Sequence, residues 1–445
     1  MSQRTYRVIF QGCVLLCIVS VSLYVHKQWL QRKEPLHGKN ARTRDEHQHY
    51  TQERHGPVKQ SNFEPTAVQE RRENVRMNQK KSTTKSKQKI YSNRYLLPVK
   101  PNPFGGANHQ YRRFKKAIIM SVLTNRTLVM TPFFLSGGHV NGYTREHLRP
   151  FNVTFDADIL SQVVPVATTG AFKRVCNRNN TKVVLWSGER EKYENVKNLI
   201  YTDMVDVDLP GEDEVTYLEQ TQVDKMPSLT KDESCVALSI DSLMNIKFNN
   251  TEQIGLIEHL VDKHLVPAPN IVRIVSDLTK KICQGKQYLA YHWRNKTAEI
   301  ICFFGRESKE HKCASQRKVI RKFAEISAEA VTNLMKSEQI ECIYLACPLW
   351  ALEMVDILSK LIPRASIFTS GDILGSTKYQ TLLEDYYLLS LVEQEISMRA
   401  AVFVATTHSN WSSFVMANRV ANGRTNYNIR SIVKLPEDIP SDLLR

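Results

Sequence analysis

Little of this chain's positive charge lies where a nucleic acid could use it. The 445 residues carry a formal net charge of +16, yet nineteen Lys and Arg against seven Asp and Glu fall between Met1 and Tyr95. The remaining 350 residues keep only +4. A nucleic-acid-binding protein carries its charge on a folded face, so that class is set aside. Cys-x-x-Cys pairs are also missing, which argues against a structural zinc site. Nine cysteines occur: Cys13 and Cys17 near the N-terminus, then Cys176, Cys235, Cys283, Cys302, Cys313, Cys342 and Cys347. Seven is odd, so at least one of the later thiols stays unpaired in a monomer. Spacing alone does not set the connectivity; Cys302 with Cys313, both in one loop-like segment, is the favoured pair.

Large apolar residues are scarce from about His26 to Lys89, where Gln, Lys, Arg, Glu and His dominate. Such a stretch cannot bury enough surface to offset chain entropy and reads as a disordered stem. Before it, Val8 to Val25 is apolar except for Gln11, Ser20 and Ser22. That length is the short end of a membrane span. Ser20-Val21-Ser22 would also suit signal-peptide cleavage, but the long polar stem behind favours an uncleaved anchor. Anchor, stem and globular part in that order describe a single-pass type II membrane enzyme of the Golgi or endoplasmic reticulum, facing the lumen. Asn-x-Ser/Thr sequons stand at Asn125, Asn152, Asn179, Asn249, Asn295 and Asn410. Those at Asn125, Asn295 and Asn410 fall inside motifs read as packed or functional and are not expected to carry glycans.

The globular part is organised around Gly105 to Pro132. Gly105 and Gly106 form a turn in which a ligand can approach the backbone closely. Asn108 and Gln110 put amide donors near a helix start, where unpaired N–H groups and the helix dipole favour anions. Phe114, Ala117, Ile118 and Ser121 recur at helical spacing. Asn125 and Arg126 break that helix, and Thr127 to Met130 reads as a buried strand. Further strands are expected at Val163–Val166, Val183–Trp186, Tyr288–Arg294, Cys342–Ala346, Ala365–Thr369 and Ala401–Ala405. Helices are expected at Thr251–His264, Ile271–Ile282, Gln316–Lys336, Leu349–Leu361 and Tyr379–Ala400. Alternating strands and helices imply parallel sheets. Pro267-Ala-Pro269 reads as a hinge. The expected organisation is an anchor at 1–25, a basic stem at 26–90 and two Rossmann-like domains at 91–267 and 268–445, facing a ligand cleft.

Three motifs carry chemistry. His292-Trp293-Arg294 ends a strand, and alternation puts His292 and Arg294 on one side. An arginine there can hold a pyrophosphate through its planar fork. Thr406 to Phe414 crowds hydroxyls and N–H groups into a loop that opens a helix, a phosphate nest or a plain N-cap. Phe414 is a candidate to stack on a base. Asp156-Ala-Asp158 and Asp206-Val-Asp208 match the Asp-x-Asp pattern of metal-dependent glycosyltransferases, although such pairs are common by chance.

Gly-Gly-x-Asn opening a helix, then Asn-Arg-Thr-Leu-Val, His-Trp-Arg at a strand end, and Ser-Leu-Val-Glu-Gln-Glu-Ile followed by Ser-Ser-Phe, in that order between Leu97 and Val420, together resemble the GDP-fucose protein O-fucosyltransferase family. The resemblance implies a GT-B fold of two Rossmann-like domains. It implies inverting, metal-independent transfer of fucose from GDP-fucose to a Ser or Thr hydroxyl of a protein or glycoprotein, with no cofactor. It also implies that Arg294 binds the β-phosphate and assists the leaving group. By the same carry-over His292 and Asn108 contact the nucleotide sugar, with Gly105 and Gly106 in the loop beside it. Ser412, Ser413 and Phe414 would line the GDP pocket, and Glu393 lies near an acidic position that contacts the nucleotide. The chain departs from the family's pattern at His109 and at Cys347-Pro348, and its glycine loop lacks the glutamate that serves some relatives as base. No separate base for the acceptor hydroxyl is evident, and His109 stands as the candidate for that role. Two other readings stay open: a glycosyltransferase using another sugar nucleotide with a metal on Asp206 and Asp208, and a catalytically weak GDP- or glycoprotein-binding protein.

Overall fold

The computed structural model describes residues 93–99, 106–135, 147–187, 205–240, 251–294, 310–348, 351–375, 377–406 and 409–434. All lie in one compact unit, Lys87–Arg445. The anchor and stem at 1–90, Gly105, and Cys302 with its expected pairing to Cys313 fall outside the described residues. No helix among the described residues is long and apolar enough to cross a membrane.

The first half supplies β1 (Tyr95–Val99), β2 (Thr127–Met130), β3 (Phe133–Phe134), β4 (Leu148–Arg149), β5 (Val166–Thr168), β6 (Thr181–Trp186), β7 (Val215–Leu218) and β8 (Cys235–Ser239). All but the antiparallel pair β3 and β4 join one parallel sheet in the order β5-β2-β1-β8-β6-β7. The second half supplies β9 (Leu289–His292), β10 (Ile343–Ala346), β11 (Ile367–Phe368), β12 (Val402–Ala405) and β13 (Asn426–Asn428). These form a second parallel sheet in the order β11-β10-β9-β12-β13. Counted within its own half that order is 3-2-1-4-5, the doubly wound pattern, whose order reverses between β9 and β12. The principal helices are α1 (Ala107–Leu123), α2 (Thr251–His264), α3 (Pro269–Leu278), α4 (Glu310–Ser337), α5 (Tyr386–Arg399) and α6 (Asn410–Ala421).

Strand alternation sorts side chains between two packed faces. Leu289, Tyr291 and Trp293 enter the apolar layer beneath α4, beside Phe323 and Val331. Ala290 instead joins a larger cluster that runs through both halves and includes Tyr111, Phe114, Val261, Leu391 and Phe414. A third cluster, with Leu97, Val183 and Phe172, covers the other face of the first sheet. Both sheets are thus buried on two sides, as parallel sheets require. Two disulfides tie the halves internally: Cys176–Cys235 reaches the start of β8, and Cys283–Cys342 reaches the residue before β10. Each closes a loop of 59 residues, which constrains the unfolded chain by about 4 kcal/mol in the loop-entropy account. Cys347 is unpaired.

Several expected elements change. The strand expected at Val163–Val166 becomes β5, because Val163 and Val164 donate back to Leu160 and finish the preceding turn. The helix expected over Tyr379–Ala400 splits, because the Asp385 carboxylate accepts from Tyr387 N and Leu388 N at 3.1 Å and starts α5 afresh. The helix expected over Leu349–Leu361 keeps only Glu353–Leu358. The expected hinge at 267–269 is packed down: Ala268 is fully buried, its N–H reaches Thr154 O, and Pro269 opens α3. Asn125 is exposed at a turn with φ of 49°, so the expectation of a packed asparagine there is corrected.

Candidate active site

The N-terminus of α1 begins at Gly106, which has no side-chain cap and lets the first turn present backbone donors. Gln110, expected to donate there, is instead fully buried. Its Nε2 donates to Phe134 O and its Oε1 accepts from Phe134 N, both at 2.9 Å, so its amide holds β3. Asn108 and His109 reach across to the second half. Asn108 Oδ1 accepts from Gln394 Nε2 of α5 at 2.5 Å. His109 Nε2 lies 2.6 Å from the Asn410 amide nitrogen, and the Asn410 oxygen accepts from Arg112. An amide N–H can only donate, so the Nε2 lone pair that a catalytic base would need is committed. His109 is a latch between α1 and α6, which corrects the expectation of a base.

The C-terminal ends of β9 and β12 meet α6 at the point where the strand order reverses. Ser409 caps α6, its hydroxyl accepting from Ser412 N. Ser412 is buried, and its Oγ lies 2.7 Å from His292 Nδ1. The His292 ring stacks on Trp411 with centroids 4.2 Å apart, and Trp411 Nε1 donates to Ser390 Oγ. Burial, with help from nearby Arg294, depresses the His292 pKa to about 3, so the ring is neutral. Arg294 is exposed just past β9, and its carbonyl accepts from Thr406 Oγ1 at the end of β12. Ser413 is exposed, with its hydroxyl donating to Ser409 O.

Two expectations for this region change on contact with the packing. The Phe414 ring is buried against Tyr111 at 5.6 Å and Phe155 at 5.9 Å, so it joins the core and has no face left for a base. Asp156 caps a short helix, accepting from Asp158 N and Ile159 N, and exposed Asp206 pairs with Lys173. Among the described residues no three His, Cys, Asp or Glu cluster as metal ligands.

Glu393, next to Gln394 on α5, is half-buried at the end of β10. Burial raises its pKa to about 7, against the opposing hydrogen bonds of Tyr344 and Ser370. Burial and the Glu393 charge push the Cys347 thiol up to about 12. Three contacts cross between the motifs: Asn108 with Gln394, His109 with Asn410, and Ser412 with His292, with Glu393 beside Gln394 and Arg294 two residues past His292 in sequence. Gln394, Asn410, Trp411 and Ser390 complete the site; all four lie inside the quoted motifs, although none of them was assigned a role there.

The family model for GDP-fucose protein O-fucosyltransferase matches residues 95–422. The chain belongs to that family. This O-fucosyltransferase has the fold seen in the crystal structure of POFUT1 in complex with GDP-fucose. The TM-score is 0.52 at 15% identity, covering 77% of this chain and 99% of that one. POFUT1 in complex with GDP matches at 14% identity and a TM-score of 0.49, covering 76% and 99%. The fucosyltransferase NodZ from Bradyrhizobium matches at 14% identity and a TM-score of 0.38, covering 73% and 92%. A search of curated protein sequences found no match. The site built above, at the carboxyl ends of parallel strands, is where a doubly wound O-fucosyltransferase of this kind would hold its nucleotide.

Proposed function

We propose that the protein moves fucose from GDP-fucose to a Ser or Thr hydroxyl of a protein or glycoprotein acceptor, with inversion and without a metal. It does so on the lumenal side of a Golgi or endoplasmic reticulum membrane, held there by residues 8–25, with the chemistry between domains spanning about 91–267 and 268–445. The observation that carries the reading is the latch of Asn108 and His109 onto α5 and α6, the second of which also carries Ser412, the partner of His292. It brings the family's motifs from both halves of the sequence to one place.

As the acceptor oxygen bonds to fucose C1, the bond between C1 and the β-phosphate oxygen breaks; the electron pair stays on GDP and the hydroxyl proton passes to solvent. Negative charge therefore grows on the β-phosphate. Arg294 and the uncapped start of α1 supply donors and positive potential for it. Gly106 brings backbone close to the sugar nucleotide, Ser412 and Ser413 edge the GDP pocket, and Glu393 contacts the nucleotide. Neutral His292 keeps Ser412 and Trp411 in place.

The test is GDP release by the lumenal fragment in a donor screen, with Arg294→Lys as the site variant. Wild type should use GDP-fucose and not UDP-sugars, and EDTA should leave the rate unchanged. Arg294→Lys keeps the charge and loses the fork, so kcat should fall about 10²-fold or more with a smaller change in GDP affinity. A near-normal kcat in that variant would remove Arg294 from the chemistry. Activity that needs Mn²⁺ would move the reading to Asp206 and Asp208.

A further inference from the structure

We propose that Gln394 is a positioning residue for fucosyl transfer. It fixes the rotation of the Asn108 amide so that Asn108 offers its N–H groups, and not its oxygen, to the sugar nucleotide. The inference rests on the reading of Asn108 as a donor contact and goes beyond it in naming what sets the direction of that contact.

Gln394 has no exposed surface, and its Nε2 donates to Asn108 Oδ1 at 2.5 Å. An amide carries its oxygen and nitrogen on opposite sides of one planar carbon, so holding the oxygen on the α5 side sends the N–H₂ the other way. Asn108 itself is half-buried in the first turn of α1, beside the uncapped backbone donors. An N–H₂ in that place adds a donor to a group gaining negative charge; a carbonyl there would repel it. Gln394 Oε1 is buried and has no hydrogen-bond partner among the described residues. Keeping a buried polar atom unsatisfied is costly, which fits a residue retained for what its other end does. The helix behind it is firmly set: Asp385 caps its start, and Arg399 near its end donates to Ser276 and to Val272 O of α3.

The position makes a sharp prediction, because a glutamate reverses the effect. Once ionised, the Gln394→Glu carboxylate has no donor, so it accepts from Asn108 Nδ2 and turns the Asn108 oxygen toward the substrate; the protonated acid can still donate to Asn108 Oδ1, and burial favours that form, so the comparison is read at the highest pH at which wild type is active. The kcat for GDP-fucose should fall about 10²-fold, with KM changed by a few-fold at most. Gln394→Met keeps the volume, leaves Asn108 unheld, and should lose less. In an Asn108→Ala background, Gln394→Glu should cost no more than about two-fold, because its effect passes through Asn108. Melting curves with and without GDP establish that each variant is folded. The inference is overturned if Gln394→Glu turns over normally, or if it costs as much with Asn108→Ala as without it. It is also overturned if Gln394→Met is as damaging as Gln394→Glu, since that is the mark of packing alone. If wild type binds GDP-fucose without transferring it, the reaction reading fails. The same double-mutant cycle on GDP-fucose Kd then decides the positioning role by itself, with coupling of the two changes supporting it and additivity overturning it.

Discussion

Two ionisable side chains at the site, His292 buried and Glu393 half-buried, pull stability in opposite directions as pH changes. The Glu393 pKa is raised to about 7, so its contribution is fully present below its ordinary value of 4.5 and is lost as pH rises through 7. The His292 pKa is depressed to about 3, so its contribution is present above 6.5 and is lost as pH falls toward 3. Between about 4.5 and 6.5 the two slopes oppose each other. A wild-type melting temperature that is nearly level over that window is expected. Glu393→Gln removes one slope, and its melting temperature should drop steadily on acidification while exceeding wild type near pH 8. The whole Glu393 window is worth about 3 kcal/mol, from 1.36 kcal/mol per pKa unit. Parallel profiles for the two proteins would mean that Glu393 is solvated and ordinary. At this scale the sequence was a good guide to which residues gather and a poor guide to their roles. His292 meets Ser412, and Asn108 meets Gln394, the neighbour of Glu393, because short motifs at strand ends and helix starts go where topology sends them. The uses of His109 and Phe414 depend on partners 301 and 303 or fewer positions away in sequence, such as Asn410 and Tyr111, and no local pattern shows those.

Among elements, each half closes the amino end of its sheet with one buried arginine. Arg126 donates to Tyr95 O, Ser234 O, Glu233 O and Thr230 O. Arg419 donates from Nη1 to Ser397 O, Met398 O and Ala400 O, from Nη2 to Ala401 O and Thr425 O, and from Nε to Asn426 Oδ1. Burial lowers both pKa values, Arg126 to about 10 and Arg419 to about 9, without discharging either at neutral pH. Arg419 joins the end of α5, the start of β12 and the approach to β13 in one grip. Lysine has three donors on one atom and cannot serve carbonyls spread around a planar fork. Arg419→Lys should therefore cost about 2–5 kcal/mol in chemical denaturation, since stranded buried acceptors cost roughly 1–3 kcal/mol each. A loss below about 1 kcal/mol would show that water replaces the missing donors. Strands β9, β10 and β12 were legible as apolar runs between helical patterns. Strand β1 was not, because Pro98 interrupts it. The sheet tolerates that proline since β2 pairs only with Tyr95 and Leu96. Strand β8, no shorter than β9, β10 and β12, opens on a cysteine whose disulfide to Cys176 has no local signature.

For the whole molecule, the boundary between dispensable and essential chain falls within a few residues. The charge of the first 95 residues sits on a stretch whose composition cannot form a core. Arg94 Nη2 donates to Thr230 O at 2.9 Å, and Arg94 O accepts from Thr127 N at 2.8 Å. Tyr95 N donates to Ser234 O, and β1 then lies between β2 and β8 in the middle of its sheet. A chain starting at Ser92 keeps all of these bonds. It should be secreted, melt cooperatively, and gain melting temperature with GDP as the full lumenal chain does, since a ligand at a hundred times its Kd adds about 2.7 kcal/mol. UDP at the same concentration should add nothing. A chain starting at Leu97 loses Tyr95 and Leu96, the two residues that pair β1 with β2, and with them the Tyr95 carbonyl, one of the four that the Arg126 guanidinium serves. It should aggregate or melt well below the longer form. If the Ser92 chain aggregates and the stem rescues it, residues before 92 take part in the fold. If the Leu97 chain melts like the Ser92 chain, β1 does not hold the centre of the sheet.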